Sequence, residues 1–167
     1  MKIELKQGQF VITDFNEFEA YRIASKIEKD GMRFYSKLFD CTKDAATRKA
    51  LEFLIVEEKK HLKFFEDCLD RLRQEKEDTS EENDLLASMN FGIFEPYQSM
   101  VEACKIVEDR KKALNLGILV EERSINFYET CKNYIKSPET KNALDNIIAD
   151  EKQHKKELEK VLKADKP

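Results

Sequence analysis

The sequence predicts an all-α protein, a four-helix bundle made of two antiparallel helical hairpins joined by a long crossover. Three observations predict it. Glycine and proline are sparse, four and three in 167 residues, while 38% of the chain is charged and tryptophan is absent, a composition of long helices rather than of a sheet. Apolar residues recur at helical spacing in four long stretches, and the second pair repeats the first at a fixed offset of 93 residues. That register pairs Ala20 with Ala113, Phe34 with Phe127, Tyr35 with Tyr128, Thr47 with Thr140, Ala50 with Ala143 and Leu69 with Leu162.

In chain order, residues 1–13 lack helical spacing and read as a short extended arm, open to exchange between subunits. Asp14 followed by Glu17 fits a helix start, and the first helix is expected from about Asn16 to about Asp40. Asp44 is expected to cap a second helix reaching about Glu75. These form a first hairpin over 14–76. Residues 77–107 are expected as the crossover, polar and acidic to Asn90, then apolar and punctuated, with a short helix over 100–107. Parallel placement of helices 2 and 3 asks it to span ~40 Å for a helix of roughly 27 residues, within reach of about 30 residues. The second hairpin, 108–164, starts near Glu108 and turns at Ser137-Pro138-Glu139, an N-cap, a proline at N1 and an early acid. Lys163 to Pro167 is a solvated tail. The whole chain reads as one domain.

The register also aligns two motifs, Glu58-Lys59-Lys60-His61 and Glu151-Lys152-Gln153-His154, which hold the only histidines. A Glu and a His three apart share one helix face, and here that face is the apolar stripe: Leu51, Leu54, Glu58, His61, Phe65 in one case and Leu144, Ile147, Glu151, His154, Leu158 in the other. Glu28 and Glu121, again 93 apart, lie on stripes of the same kind. Burying unpaired charge costs several kcal/mol, so six such groups at core positions call for a compensating partner, and divalent metal is one. The candidate ligands are Glu28, Glu58, His61, Glu121, Glu151 and His154. Four carboxylates balance two divalent ions, and mixed carboxylate and imidazole donors suit iron or manganese.

This set, one Glu from each of two helices and Glu-x-x-His from each of the others, is where the chain resembles the rubrerythrin-type, ferritin-like di-iron family. Ala20 to Leu72 and Ala113 to Leu162 resemble its two halves, including Phe-Tyr two turns after each first glutamate. The resemblance implies a ferritin-like bundle with two iron ions, manganese being the alternative. Its expected chemistry is reduction of hydrogen peroxide, or reaction with oxygen. Many relatives carry a four-cysteine, rubredoxin-like iron module. This chain has no Cys-x-x-Cys, so the electrons are expected from a separate donor such as a rubredoxin-like protein. The family usually has a further glutamate one turn after the third-helix ligand, where this chain has Ser124, and Glu122 points about 100° away.

Glu58 and Glu151 are expected to bridge or flank the ions while His61 and His154 each cap one. Tyr35 and Tyr128, on the ligand face, are candidates to hydrogen-bond carboxylate ligands or to supply an electron. A ligating histidine donates its second ring N–H to an acceptor, and Glu57 and Asp150 are the candidates, toward His154 and His61 respectively. Gly31, beside the site, either leaves room for a small oxidant or lets helices pack closely; glycine there costs about 1 kcal/mol against alanine. Cys41, Cys68, Cys104 and Cys131 mostly fall on helix stripes as small hydrophobes.

A net charge of −4 spread along helices predicts solvated faces and no nucleic-acid surface. No apolar run approaches the ~20 residues of a membrane span and no signal pattern opens the chain, so a cytoplasmic protein, expected as a homodimer, is the sequence reading. Two other readings stand beside the oxidoreductase: a ferroxidase or iron-storage subunit, which would need a closed shell, and a structural bundle with a vestigial site.

Overall fold

The computed structural model describes residues 2–6, 9–13, 16–75 and 110–164, with side chains for 16–74 and 111–164. The expected crossover and its short helix lie outside the described residues. Four long helices make up the rest: α1 Glu17–Cys41, α2 Ala45–Glu75, α3 Arg110–Cys131 and α4 Pro138–Lys163. α1 packs along α2 and α3 along α4 as two hairpins, and the hairpins meet through α1 on α3 and α2 on α4.

The arm is extended, and it is a hairpin of its own. β1 (Lys2–Lys6) and β2 (Gln9–Thr13) pair antiparallel, Lys2 opposite Thr13 and Lys6 opposite Gln9.

Local sequence explains where the helices begin. Asn16, not Asp14, caps α1: its side chain accepts from the Glu19 amide and the Glu19 carboxylate accepts from the Asn16 amide, both at 2.9 Å, the reciprocal capping box. Asp44 Oδ2 accepts from the Thr47 amide at 2.7 Å to open α2. Ser137 accepts from the Thr140 amide, with Pro138 at the first helical position of α4, where its missing N–H costs nothing. The α1–α2 turn is also tied by Arg48, which donates to the carbonyls of Phe39 and Thr42 and lies over the Phe39 ring.

The core repeats in the same register as the motifs. Ala20 and Ala113, Leu51 and Leu144, Ile27 and Val120, and Phe65 and Leu158 are buried at matching positions. Gly117 lets α3 approach closely, since a Cβ there would stand 2.9 Å from Leu158 Cδ1 and 3.5 Å from the Tyr35 ring. Cys68 and Cys131 are buried thiols, as small core hydrophobes should be. Cys41, partly buried against the same core, is disulfide-bonded.

Candidate metal centre

Six polar side chains sit in the middle of this core. Glu28, Glu121, Glu151 and His154 are 1% exposed, His61 4% and Glu58 5%, so each has lost essentially all its hydration. They converge as two overlapping groups, Glu28, Glu58, His61 and Glu151 in one, and Glu58, Glu121, Glu151 and His154 in the other. Within each group the ligand atoms lie within 4.8 Å of one another. Glu58 and Glu151 belong to both, so these two carboxylates are placed to be shared, while each histidine and each remaining glutamate serves one position.

The contacts are those of a ligand set that a cation would complete. His61 Nδ1 lies 3.2 Å from Glu151 Oε1 and 3.7 Å from Glu28 Oε2, yet all three atoms are buried without a hydrogen-bond partner. His154 Nδ1 lies 2.9 Å from Glu151 Oε2 and 3.8 Å from Glu121 Oε2. The two imidazoles stack, centroids 5.7 Å apart. Orphaned buried donors and acceptors carry a cost of about 1–3 kcal/mol each, and a divalent ion at each position removes it. Four carboxylates with two imidazoles, and no thiolate, form the hard and borderline donor set of iron or manganese. The residues fit a di-metal site.

Without metal, protons do the neutralising. Burial, with Glu28 and Glu151 beside it, holds the Glu58 carboxyl well above its ordinary range. Burial and the neighbouring Glu151 push Glu121 up to about 8, against the opposing pull of His154. Burial would lower both imidazoles, but their carboxylate contacts outweigh it, raising His61 to about 11 and His154 to about 9. Burial would likewise raise Glu151; the two histidines reverse this and hold it well below the carboxylate range.

Tyr35 and Tyr128 join the hairpins across the site. The Tyr35 hydroxyl on α1 donates to Glu121 Oε1 on α3, and the Tyr128 hydroxyl on α3 donates to Glu28 Oε1 on α1. Both rings are fully buried, and burial, with the carboxylates beside them, holds both hydroxyls protonated well above the usual phenol range. Phe65 stacks on Tyr128, centroids 5.6 Å apart.

The surroundings of the two histidines differ. Asp150 Oδ2 lies 3.5 Å from His61 Nε2. Glu57, its counterpart in the repeat, is paired with Lys60 at 2.6 Å and not with His154, because that ammonium one turn along the same helix offers a closer partner. Against His154 stands the edge of Phe53, centroid distance 5.8 Å. Phe53 lies off the core stripe of α2 and its repeat position is Asn146; that break in register was the available sign of it. The space beside Gly31 is filled by the protein itself, since a Cβ there would meet the Glu58 carboxylate at 3.3–3.5 Å. Ser124 is buried, and Glu122 is held by Lys155 at 2.6 Å, so no fifth carboxylate joins the cluster among the described residues.

This geometry agrees with the comparisons. The rubrerythrin family model matches residues 19–162, and also 5–69. The chain belongs to the rubrerythrin family. A protein of Thermotoga maritima described as ferritin-like and diiron-carboxylate has a similar structure, with a TM-score of 0.65 and 21% identity over 92% of this chain and 98% of that one. No curated protein matches the chain. Among the described residues of this rubrerythrin-family chain, no helix is long and apolar enough to cross a membrane.

Proposed function

We propose that this protein is a di-iron oxidoreductase that reduces hydrogen peroxide to water with electrons from a separate donor. The observation that carries the reading is the pair of buried ligand groups sharing Glu58 and Glu151. Two sites with common carboxylates would hold two metals close enough to act on one small substrate. Bound as a ferrous pair, iron supplies the two electrons that, with two protons, convert one peroxide to two waters.

The protein's own residues have separable tasks. Glu28, Glu58 and Glu151 with His61 hold one position, and Glu121 with His154 and the shared carboxylates holds the other. Tyr35 and Tyr128 fix the rotamers of Glu121 and Glu28 by donating to one oxygen of each and leaving the second free to ligate. Their hydroxyls keep their protons, which makes them donors to carboxylates and not acids for the reaction. The aromatic wall of Phe34, Phe65 and the two tyrosines keeps bulk water from the cluster, where low dielectric strengthens each charge interaction. Ser124 supplies no carboxylate one turn after Glu121, which leaves the six side chains of the two groups as the ligand set.

Stopped-flow mixing of the reduced, iron-loaded protein with peroxide, and separately with oxygen, tests the reading. Oxidation by peroxide is expected to be at least about tenfold faster than by oxygen. Faster reaction with oxygen, or none with either, overturns it.

A further inference from the structure

The fold carries two equivalent grooves, one on the outer face of each hairpin, and the repeat makes each a control for the other. The groove between α1 and α2 is lined by Lys29, Met32, Arg33, Ser36, Lys37 and Leu62. The groove between α3 and α4 is lined at matching positions by Glu122, Ile125, Asn126 and Lys155. In the second groove, which Lys152, Lys156 and Glu159 also line, Lys155 pairs across it with Glu122 at 2.6 Å. The first has Leu62 where the second has Lys155, and Lys29 where the second has Glu122. Among the described residues no ion pair spans it, and Met32 and Leu62 are its apolar lining.

Charge follows the same division. Lys26, Lys29, Arg33 and Lys37 fall within a narrow arc of α1, and the matching residues of α3 are Leu119, Glu122, Asn126 and Thr130. Asp30 takes up Lys26 at 2.8 Å and approaches Arg33 at 3.7 Å. Lys29 and Lys37 have no acid within 4.0 Å among the described residues. A solvated helix face needs no such run of cations, as α3 demonstrates. Four on one helix, set against Asp30 and against Glu66 of α2 in the adjoining part of the groove, leave a local excess of positive charge in a chain of net charge −4, and such a field steers and orients an acidic partner. Arginine rim and adaptable methionine floor are the composition of a protein contact surface.

The groove also has a meaningful position. Lys29 follows the ligand Glu28 on α1, and Leu62 follows the ligand His61 on α2. A body seated there lies on the back of the two helices that hold Glu28, Glu58 and His61, roughly one helix diameter, about 10 Å, from the metal positions.

We propose that the α1–α2 groove is the docking face for an acidic electron-carrying protein that feeds the metal centre. This rests on the proposed oxidoreductase function, which needs an outside source of electrons. Docking requires no covalent step: one electron at a time passes from the reduced carrier to the oxidised metal pair.

An acidic rubredoxin serves as the probe. Titration calorimetry of the full-length, iron-loaded protein with the oxidised carrier at low ionic strength reads binding alone. The wild type is expected to bind, with affinity falling at least tenfold on raising salt from low to physiological levels. Arg33→Glu with Lys37→Glu is expected to weaken binding at least tenfold. Asn126→Glu with Thr130→Glu, the same charges at the matching positions of α3, is expected to leave it unchanged. Equal loss in both double variants, or wild-type binding insensitive to salt and to Arg33→Glu with Lys37→Glu, overturns the proposal, as does absence of wild-type binding. Peroxide oxidation of the chemically reduced Arg33→Glu, Lys37→Glu variant, measured without the carrier, is expected to match the wild type. Failure of that oxidation in both proteins refutes the peroxidase reading while leaving the docking result to stand by itself.

Discussion

Gly31 and the two tyrosines show how closely each ligand is fitted to its neighbours. The Glu58 carboxylate lies against Gly31 so tightly that an alanine Cβ would stand 3.3 Å from Glu58 Cδ, closer than ordinary van der Waals contact. Gly31→Ala therefore acts in opposite directions on the two forms. The metal-free protein is expected to gain up to about 1 kcal/mol from helix propensity, while Glu58, shared by both positions, is displaced and metal affinity falls. Melting curves with and without metal check this; a parallel rise in both removes the argument. Tyr35→Phe isolates a different contact. It leaves a buried Glu121 oxygen without its donor and is expected to cost about 1–3 kcal/mol of metal-free stability, read by urea denaturation. Some of this was legible beforehand and some was not. Tyr35 and Tyr128 could be placed on the ligand face by counting turns, but that each reaches the opposite hairpin depends on how α1 meets α3, which one helix's periodicity does not contain. Glu57 and Asp150 occupy matching positions in the repeat, but Lys60 beside Glu57 and His61 Nε2 3.5 Å from Asp150 are surroundings that a motif does not encode.

At the scale of elements, Glu28 and Glu121 lack a histidine partner in their own helices, and the 93-residue register paired them. That worked because each hairpin must present the same face to a shared centre. The same register exposed what the composition hid, since the cations of α1 looked like solvated charge until α3 supplied the comparison. Helix starts were less legible: Asp14 and Asn16 are both good caps, and only the reciprocal bonds with Glu19 decide between them. The ligand-bearing faces of the four helices also determine how the protein responds to pH. Glu58, Glu121, His154 and His61 all have folded pKa values raised above their unfolded ones. Each binds its proton more tightly when folded, so its contribution is complete below the unfolded value and is lost as pH rises through the folded value. The metal-free protein is therefore expected to lose stability progressively from about pH 5, as the carboxyls' unfolded range is passed, up to about 11. Metal must displace the same protons, so its affinity rises with pH. The gap in melting temperature between metal-loaded and metal-free protein is expected to widen from pH 6 to pH 8, with roughly two to four protons released per pair of ions bound, counted by calorimetry in buffers of different ionisation enthalpy. A gap that narrows with pH contradicts the protonated cluster.

For the molecule as a whole, the metal site is where the two hairpins are joined. Each ligand group draws on both: Glu151 of α4 completes the group built on Glu28, Glu58 and His61, and Glu58 of α2 completes the group built on Glu121, Glu151 and His154. Removing metal leaves the hairpins held by the α1–α3 and α2–α4 packing and by the two tyrosine bonds, with buried charge between them. Metal that binds only the folded chain stabilises it by mass action, about 2.7 kcal/mol at a hundredfold excess over Kd. The sharing of ligands then predicts a graded series. Wild-type protein is expected to take up two ions per chain, His61→Ala one, because His61 serves a single group, and Glu151→Ala none that survives gel filtration, because Glu151 serves both. Metal-dependent stabilisation should fall in the same order. Metal analysis beside unfolding curves for the three proteins reads both quantities together. If Glu151→Ala retained one tightly held ion, the two groups would be independent sites, and the paired chemistry that depends on their common carboxylates would have no basis in this fold.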